Sequence, residues 1–167
     1  MNYHNIKHDD MLNGTGLRVT LFVSGCDHRC KNCHNPQTWD CNSGIEFDND
    51  AIDEIYYYLS KDYIDGITLS GGDPLNTHNR KDILLLLNNI KNKFPNKNIW
   101  LYTGYSYEDI LLDESLINII KLCDVLVDGE FIEELKDNNY HWAGSTNQRI
   151  IDVKKSLKSN KVELYYD

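Results

Sequence analysis

Between residues 17 and 129 the chain alternates short, β-branched apolar runs with longer stretches of helical spacing, and the apolar runs stop at glycine. Residues 17–24 (LRVTLFVS) end at Gly25, 66–70 (GITLS) at Gly71-Gly72, 98–102 (NIWLY) at Thr103-Gly104 and 124–128 (DVLVD) at Gly129. Each reads as a strand, because β-branched and aromatic residues suit a pleated surface and glycine punctuates it. Between them, Ile52, Ile55, Tyr56 and Leu59 recur at helical spacing within 51–63, and 79–94 is dense in Leu and Ile up to Pro95. A third helical stretch, 107–122, is expected to break near Asp113, and two short strand candidates, 148–153 and 162–166, follow. Strands alternating with helices at a ~30-residue period imply right-handed crossovers, a mainly parallel sheet, and binding loops gathered at the strand carboxyl ends. With no repeat, low-complexity linker or composition shift, residues 1–167 are expected to form a single α/β domain.

A formal charge of −9, with no block of Lys and Arg against it, repels nucleic acid and anionic lipid. No apolar run approaches the ~18 residues that span a bilayer, and the first ten residues lack the basic and apolar regions of a signal peptide. A cytoplasmic location is expected. In a reducing compartment five cysteines are more naturally thiols or metal ligands than disulfides, and an odd number cannot pair completely within one chain.

Three of those cysteines, Cys26, Cys30 and Cys33, form CxxxCxxC on the loop after the first predicted strand. One loop can wrap three thiolates around a single inorganic centre. Structural zinc takes four ligands, usually as two separated pairs, whereas a four-iron cluster accepts three protein thiolates if an external ligand takes the last iron. His34 and His28 are the only nearby candidates for a fourth zinc ligand, and both are badly placed, one adjacent to Cys33 and the other inside the loop. Zinc nevertheless stays open as the alternative. Cys41 and Cys123 are read as spare thiols, and the histidines as solvated loop residues without catalytic roles. The run Tyr56-Tyr57-Tyr58 is read as a helix with one packed and one wet face, and the acidic residues as mostly solvated surface.

CxxxCxxC after a first strand resembles the signature of the radical S-adenosylmethionine superfamily. Residues 25–40 (GCDHRCKNCHNPQTWD) look like the glycyl-radical activases in particular, where Cys-(His or Tyr)-Asn and Thr-Trp follow the cluster loop. Ser70-Gly-Gly-Asp-Pro-Leu75, Trp100-Leu-Tyr-Thr-Gly-Tyr105, Val125-Leu-Val-Asp-Gly129 and Gly144-Ser-Thr-Asn-Gln148 follow in the order found in activases of anaerobic ribonucleoside-triphosphate reductase. The resemblance runs to about Val153, and the tail 154–167 matches nothing assignable.

This resemblance implies an incomplete βα barrel, open to a protein substrate. It implies one [4Fe-4S] cluster on Cys26, Cys30 and Cys33, with S-adenosylmethionine on the open iron. Reductive cleavage then gives a 5′-deoxyadenosyl radical that takes hydrogen from a glycine Cα of the reductase, with reduced flavodoxin as electron donor. The backbone of Asn32, Cys33 and His34 would wall the adenine, and Gly72 and Asp73 would hold S-adenosylmethionine, glycine letting the backbone approach and carbonyls accepting from the ammonium. Tyr105, Asp128 and Asn147 are secondary candidates for lining the site. Two positions depart from the pattern: Asn32 stands where relatives often have an aromatic residue, and Thr146 where many have Ser. The competing functions are activation of another glycyl-radical enzyme of the pyruvate formate-lyase type, a small-metabolite radical enzyme, and a non-enzymatic metal-binding module.

Overall fold

The computed structural model describes residues 1–166. Along the chain lie β1 (Asn2–Asp10), β2 (Arg18–Val23), β3 (Ile45–Glu46), α1 (Asn49–Leu59), β4 (Gly66–Gly71) and α2 (Arg80–Lys93). Then come β5 (Asn98–Tyr102), α3 (Tyr107–Ile110), α4 (Glu114–Ile120), β6 (Val125–Asp128), β7 (Arg149–Asp152) and α5 (Val153–Ser159). The helices start where side chains satisfy their free amides: Asp48, Ser106, Asp113 and Asp152 each accept from a backbone N–H of the first turn. Asp113 is also where the predicted long helix divides into α3 and α4.

One sheet runs in the order β3-β1-β2-β4-β5-β6-β7. The fold is α/β, but the sheet is mixed. β2, β4, β5 and β6 are parallel neighbours, while β1, β3 and β7 join antiparallel at the margins. The four parallel strands are the four glycine-terminated runs, so Gly25, Gly71-Gly72, Gly104 and Gly129 arrive at one edge. Expectation and structure differ in three places. β1 reads NYHNIKHDD, buries only Ile6 and Asp10, and has no apolar alternation to signal a strand. Residues 162–166 make a single bridge, Ile151 to Leu164, rather than a strand. Between β7 and that tail, α5 is a helix that was not anticipated; Asn160 ends it in the left-handed conformation that Asn tolerates.

The period of two along each strand divides the side chains between two faces. Val19, Leu21, Val23, Ile67, Leu69, Ile99, Leu101, Leu126 and Ile151 join Ile55, Leu87, Ile90 and Ile119 of the helices in one core. On the opposite face Trp100, Val125, Val127 and Ile150 meet no helix; Tyr140, Trp142, Ala143 and Tyr165 cover them. Arg18, fully buried, donates to Thr68 Oγ1 (2.7 Å) and to the carbonyls of Thr15 (3.0 Å) and Ile67 (2.8 Å), with its guanidinium 5.4 Å from the Trp100 ring centre. Burial lowers its pKa to about 10, so it remains a cation at neutral pH.

Asp124, just before β6, ties three elements together. It accepts from the Ile99 amide (2.8 Å), Lys91 (2.9 Å) and Lys154 (2.6 Å). Burial alone would raise this carboxyl, but the hydrogen bonds from Lys154, Lys91 and Ile99 outweigh it and hold the pKa below the ordinary value. A carboxyl depressed on folding stabilises above its unfolded pKa and loses that contribution as pH falls through the folded one. Asp124→Asn is therefore expected to cost about 1–3 kcal/mol at pH 7. It should also flatten the loss of stability below about pH 4 relative to the unmodified chain, read from urea midpoints against pH.

Candidate functional site

The loop after β2 folds back on its own strand end. The Gly25 amide donates to the Thr38 carbonyl (2.7 Å), Cys26 N to Trp39 O (3.1 Å) and Asp73 N to Gly25 O (2.7 Å). The Gly71-Gly72 turn is pressed against it. Gly71 has φ +105°, and a Cβ there would sit 2.5 Å from Val23 N; at Gly72 a Cβ would sit 2.6 Å from the Gly25 carbonyl oxygen. Two glycines are needed for this approach of backbone to backbone.

At this edge lies a cavity of about 1000 Å³, and Cys26, Cys30 and Cys33 all line it. His34, Gly72 and Asp73 are on the same wall. Asn32 is not, and its φ of +55° shows what it does locally: it turns the loop between Cys30 and Cys33 in a conformation that Asn accepts and an aromatic residue resists. Tyr105, Asp128 and Asn147 also lie off the wall. Tyr105 packs edge-on to His28, Asp128 accepts from the Tyr107 amide (2.8 Å) and Arg149, and Asn147 donates to the Glu130 carbonyl (2.9 Å). Cys41 lines a smaller hollow behind the loop, with Asp27 and His78, and Cys123 is buried against α4.

The three thiols are free and half-buried. Burial pushes the Cys26 thiol up to about 11, with the His28 and Arg29 amides partly offsetting it, and raises Cys30 against the Phe131 amide. Cys33 Sγ accepts from the Asn35 amide (3.4 Å). A backbone N–H at the sulfur suits a thiolate that shares charge with a metal cluster. A single zinc ion would need four donors about one point, and among the described residues no three His, Cys, Asp or Glu side chains are gathered in that way. A cluster instead spreads its thiolates over separate irons. The donor set fits a [4Fe-4S] group.

Asp73 is 1% exposed and its carboxylate is fully engaged. It accepts from Thr103 Oγ1 (2.9 and 3.0 Å), the Gly104 amide (3.1 Å), the Leu75 amide (2.8 Å) and His28 Nε2 (2.8 Å). The Gly72 carbonyl accepts no hydrogen bond among the described residues. His28, expected to be a solvated loop residue, instead lies between two carboxylates, with Glu130 Oε1 2.9 Å from Nδ1. The hydrogen bond with Asp73, more than offsetting burial and joined by Glu130, raises its pKa to about 9.

A family model described as a 4Fe-4S single cluster domain matches residues 12–151. An anaerobic ribonucleoside-triphosphate reductase-activating protein from Enterobacteria phage T4 is 44% identical over 150 residues, 90% of this chain and 93% of that protein. Proteins of the same name from Escherichia coli K12 (45% over 150 residues, 89% and 96%) and Vibrio cholerae (44% over 152 residues, 90% and 97%) match as fully. The chain belongs to the anaerobic ribonucleoside-triphosphate reductase-activating protein family. In this activating-protein chain the cluster-domain match takes in the three cysteines, the Gly-Gly-Asp turn and Glu130, and ends within β7 before α5. Sequence reading alone missed His28, Thr103, Glu130 and the Phe131 amide. His28 is 45 positions from Asp73 and 102 from Glu130, and no local pattern joins them.

Proposed function

We propose that this protein activates an anaerobic ribonucleoside-triphosphate reductase by generating a glycyl radical in it. What carries the reading is the placement of three cysteine thiols and the Gly71-Gly72 turn on one cavity wall at the carboxyl ends of the parallel strands. The names of relatives 44–45% identical over nine-tenths of the chain give the target, and favour it over an enzyme of the pyruvate formate-lyase type.

Cys26, Cys30 and Cys33 would hold one [4Fe-4S] cluster. With S-adenosylmethionine also bound, the cluster would pass on one electron from the external reductant for cleavage to methionine and a 5′-deoxyadenosyl radical, the species that would take hydrogen from the reductase glycine. The chain's own residues bind, orient and shield. The free Gly72 carbonyl would accept from the S-adenosylmethionine ammonium, and Asp73, its carboxylate engaged by protein donors, would contribute by fixing that turn. The backbone at Cys33 and His34 would face the adenine, with Asn32 setting the path of the loop. Trp39, Phe131 and Trp142 line the cavity with aromatic surface. Its volume, at the top of the ~300–1,000 Å³ usual for small-molecule pockets, supports room for more than the cofactor.

Helices on one sheet face and a cavity reaching the other support the partial-barrel reading of the radical S-adenosylmethionine type, built by residues 1–167 as one domain. Reduced flavodoxin is the proposed electron donor and the cytoplasm the proposed location, in keeping with the absence among the described residues of any helix long and apolar enough to cross a membrane. The test is anaerobic mixing of the iron-loaded protein with its reductase, S-adenosylmethionine and reductant. A glycyl radical signal in the reductase is expected. Silence there, with a signal in a pyruvate formate-lyase type enzyme, would transfer the reading to that target.

A further inference from the structure

We infer that His28 is a positioning residue that locks the cluster-binding loop onto the Gly72-Asp73 turn, fixing the three thiols relative to the free Gly72 carbonyl. The inference rests on the proposed cluster and S-adenosylmethionine site and adds a residue to it. His28 stands midway between Cys26 and Cys30. Its side chain is only 13% exposed, and one ring meets the ends of three strands. Nε2 is 2.8 Å from Asp73 Oδ2, beyond β4, and Nδ1 is 2.9 Å from Glu130 Oε1, beyond β6. Beyond β5, the ring lies edge-on to Tyr105 at 4.8 Å between centres, and against Gly104, where a Cβ would come within 2.5 Å of it.

The partner that matters is Asp73. Thr103 Oγ1, the Gly104 amide and the Leu75 amide already fix its carboxylate, so a hydrogen bond from His28 transmits that rigidity to the loop between two cysteines. The Asp73 amide donates to Gly25 O, next to Cys26, closing a ring of contacts around the Gly72 turn. Glu130 is 55% exposed and is the weaker arm. A ring that merely filled space would need neither nitrogen, whereas this one has a carboxylate oxygen within hydrogen-bond distance of each.

The experiment compares wild type with His28→Ala, His28→Phe and His28→Gln after anaerobic loading with iron and sulfide. Iron content, the electron paramagnetic resonance line shape of the reduced cluster with and without S-adenosylmethionine, and S-adenosylmethionine affinity are read. Loss of an outer partner that orients a metal site costs roughly 10–100-fold. His28→Ala and His28→Phe should weaken S-adenosylmethionine binding by about tenfold or more and blunt the line-shape change, with His28→Gln recovering part of both. If His28→Phe binds like wild type, the ring is packing and the inference fails. If the His28 variants take up no iron, Thr103→Val, which removes a donor from Asp73 and leaves the loop sequence intact, must weaken binding in the same way; unchanged binding overturns the inference. A wild-type protein that loads iron but shows no response to S-adenosylmethionine would overturn the site reading itself, and this inference with it.

Discussion

Cys30→Ala is expected to leave the chain folded but without a complete cluster, and to drop S-adenosylmethionine cleavage to the level of buffer. Cys30 is half-buried on the cavity wall between Cys26 and Cys33. Of the two histidines beside the cysteines, His28 is engaged with Asp73 and Glu130, and His34 packs edge-on to Phe131. Because even an outer-shell partner is worth roughly 10–100-fold, a direct ligand should cost more than that. Cys41→Ala and Cys123→Ala are expected to behave differently. Cys41 faces the smaller hollow, and Cys123 is a buried thiol whose Sγ contacts the Ile119 carbonyl at 3.6 Å. Both variants should load iron fully, with Cys123→Ala losing only about 1 kcal/mol of stability. Iron and sulfide per chain, visible absorption and 5′-deoxyadenosine yield check this; a fully loaded, active Cys30→Ala would remove Cys30 from the ligand set.

Trp100→Ala carries the largest expected loss of stability. Trp100 is fully buried at the centre of the sheet face that no helix covers. Its ring lies 5.2 Å from that of Trp142 and 5.1 Å from that of Tyr165, both edge-on, with the buried Arg18 guanidinium 5.4 Å away. Truncating a buried aromatic costs about 3–5 kcal/mol, and here two aromatic pairs and a cation–π contact go with it. Against a total of about 5–15 kcal/mol, that leaves the domain marginal. Leu112→Ala, at an 87% exposed position, should stay within about 0.5 kcal/mol. Urea midpoints measure both, and a Trp100→Ala loss under about 1 kcal/mol would mean that this face is not a packed core.

The parallel centre of the sheet was legible because strands buried on both sides read as continuous apolar runs, and each of them stops at glycine. The margins were not. β1 is largely polar and gains its strand character by pairing with β2, a tertiary effect its own residues do not signal. β7 was legible as a strand, but its antiparallel direction depends on the connection through residues 129–148, which has no periodicity to read. The same divide runs through the site. Three cysteines within eight residues announce themselves by spacing, and Gly71-Gly72 by its place at a strand end. The role of His28 depends on Asp73 and Glu130, brought to it by one and by three crossovers, and the engagement of the Asp73 carboxylate depends on Thr103 and Gly104 at the next strand end. Asn32 looked like a lost aromatic contact; its positive φ gives a local reason for Asn that composition cannot carry.

The measurement that bears most directly on the proposed activity follows one hydrogen atom. The reductase is prepared with deuterium at its glycine Cα positions, mixed without oxygen with the iron-loaded protein, S-adenosylmethionine and reductant, and the 5′-deoxyadenosine formed is weighed by mass spectrometry while the glycyl radical is counted by electron paramagnetic resonance. One deuterium is expected in the 5′-deoxyadenosine for each radical formed in the reductase, and neither product with Cys30→Ala. Unlabelled 5′-deoxyadenosine and a silent reductase, from a protein whose cluster is intact, would contradict it.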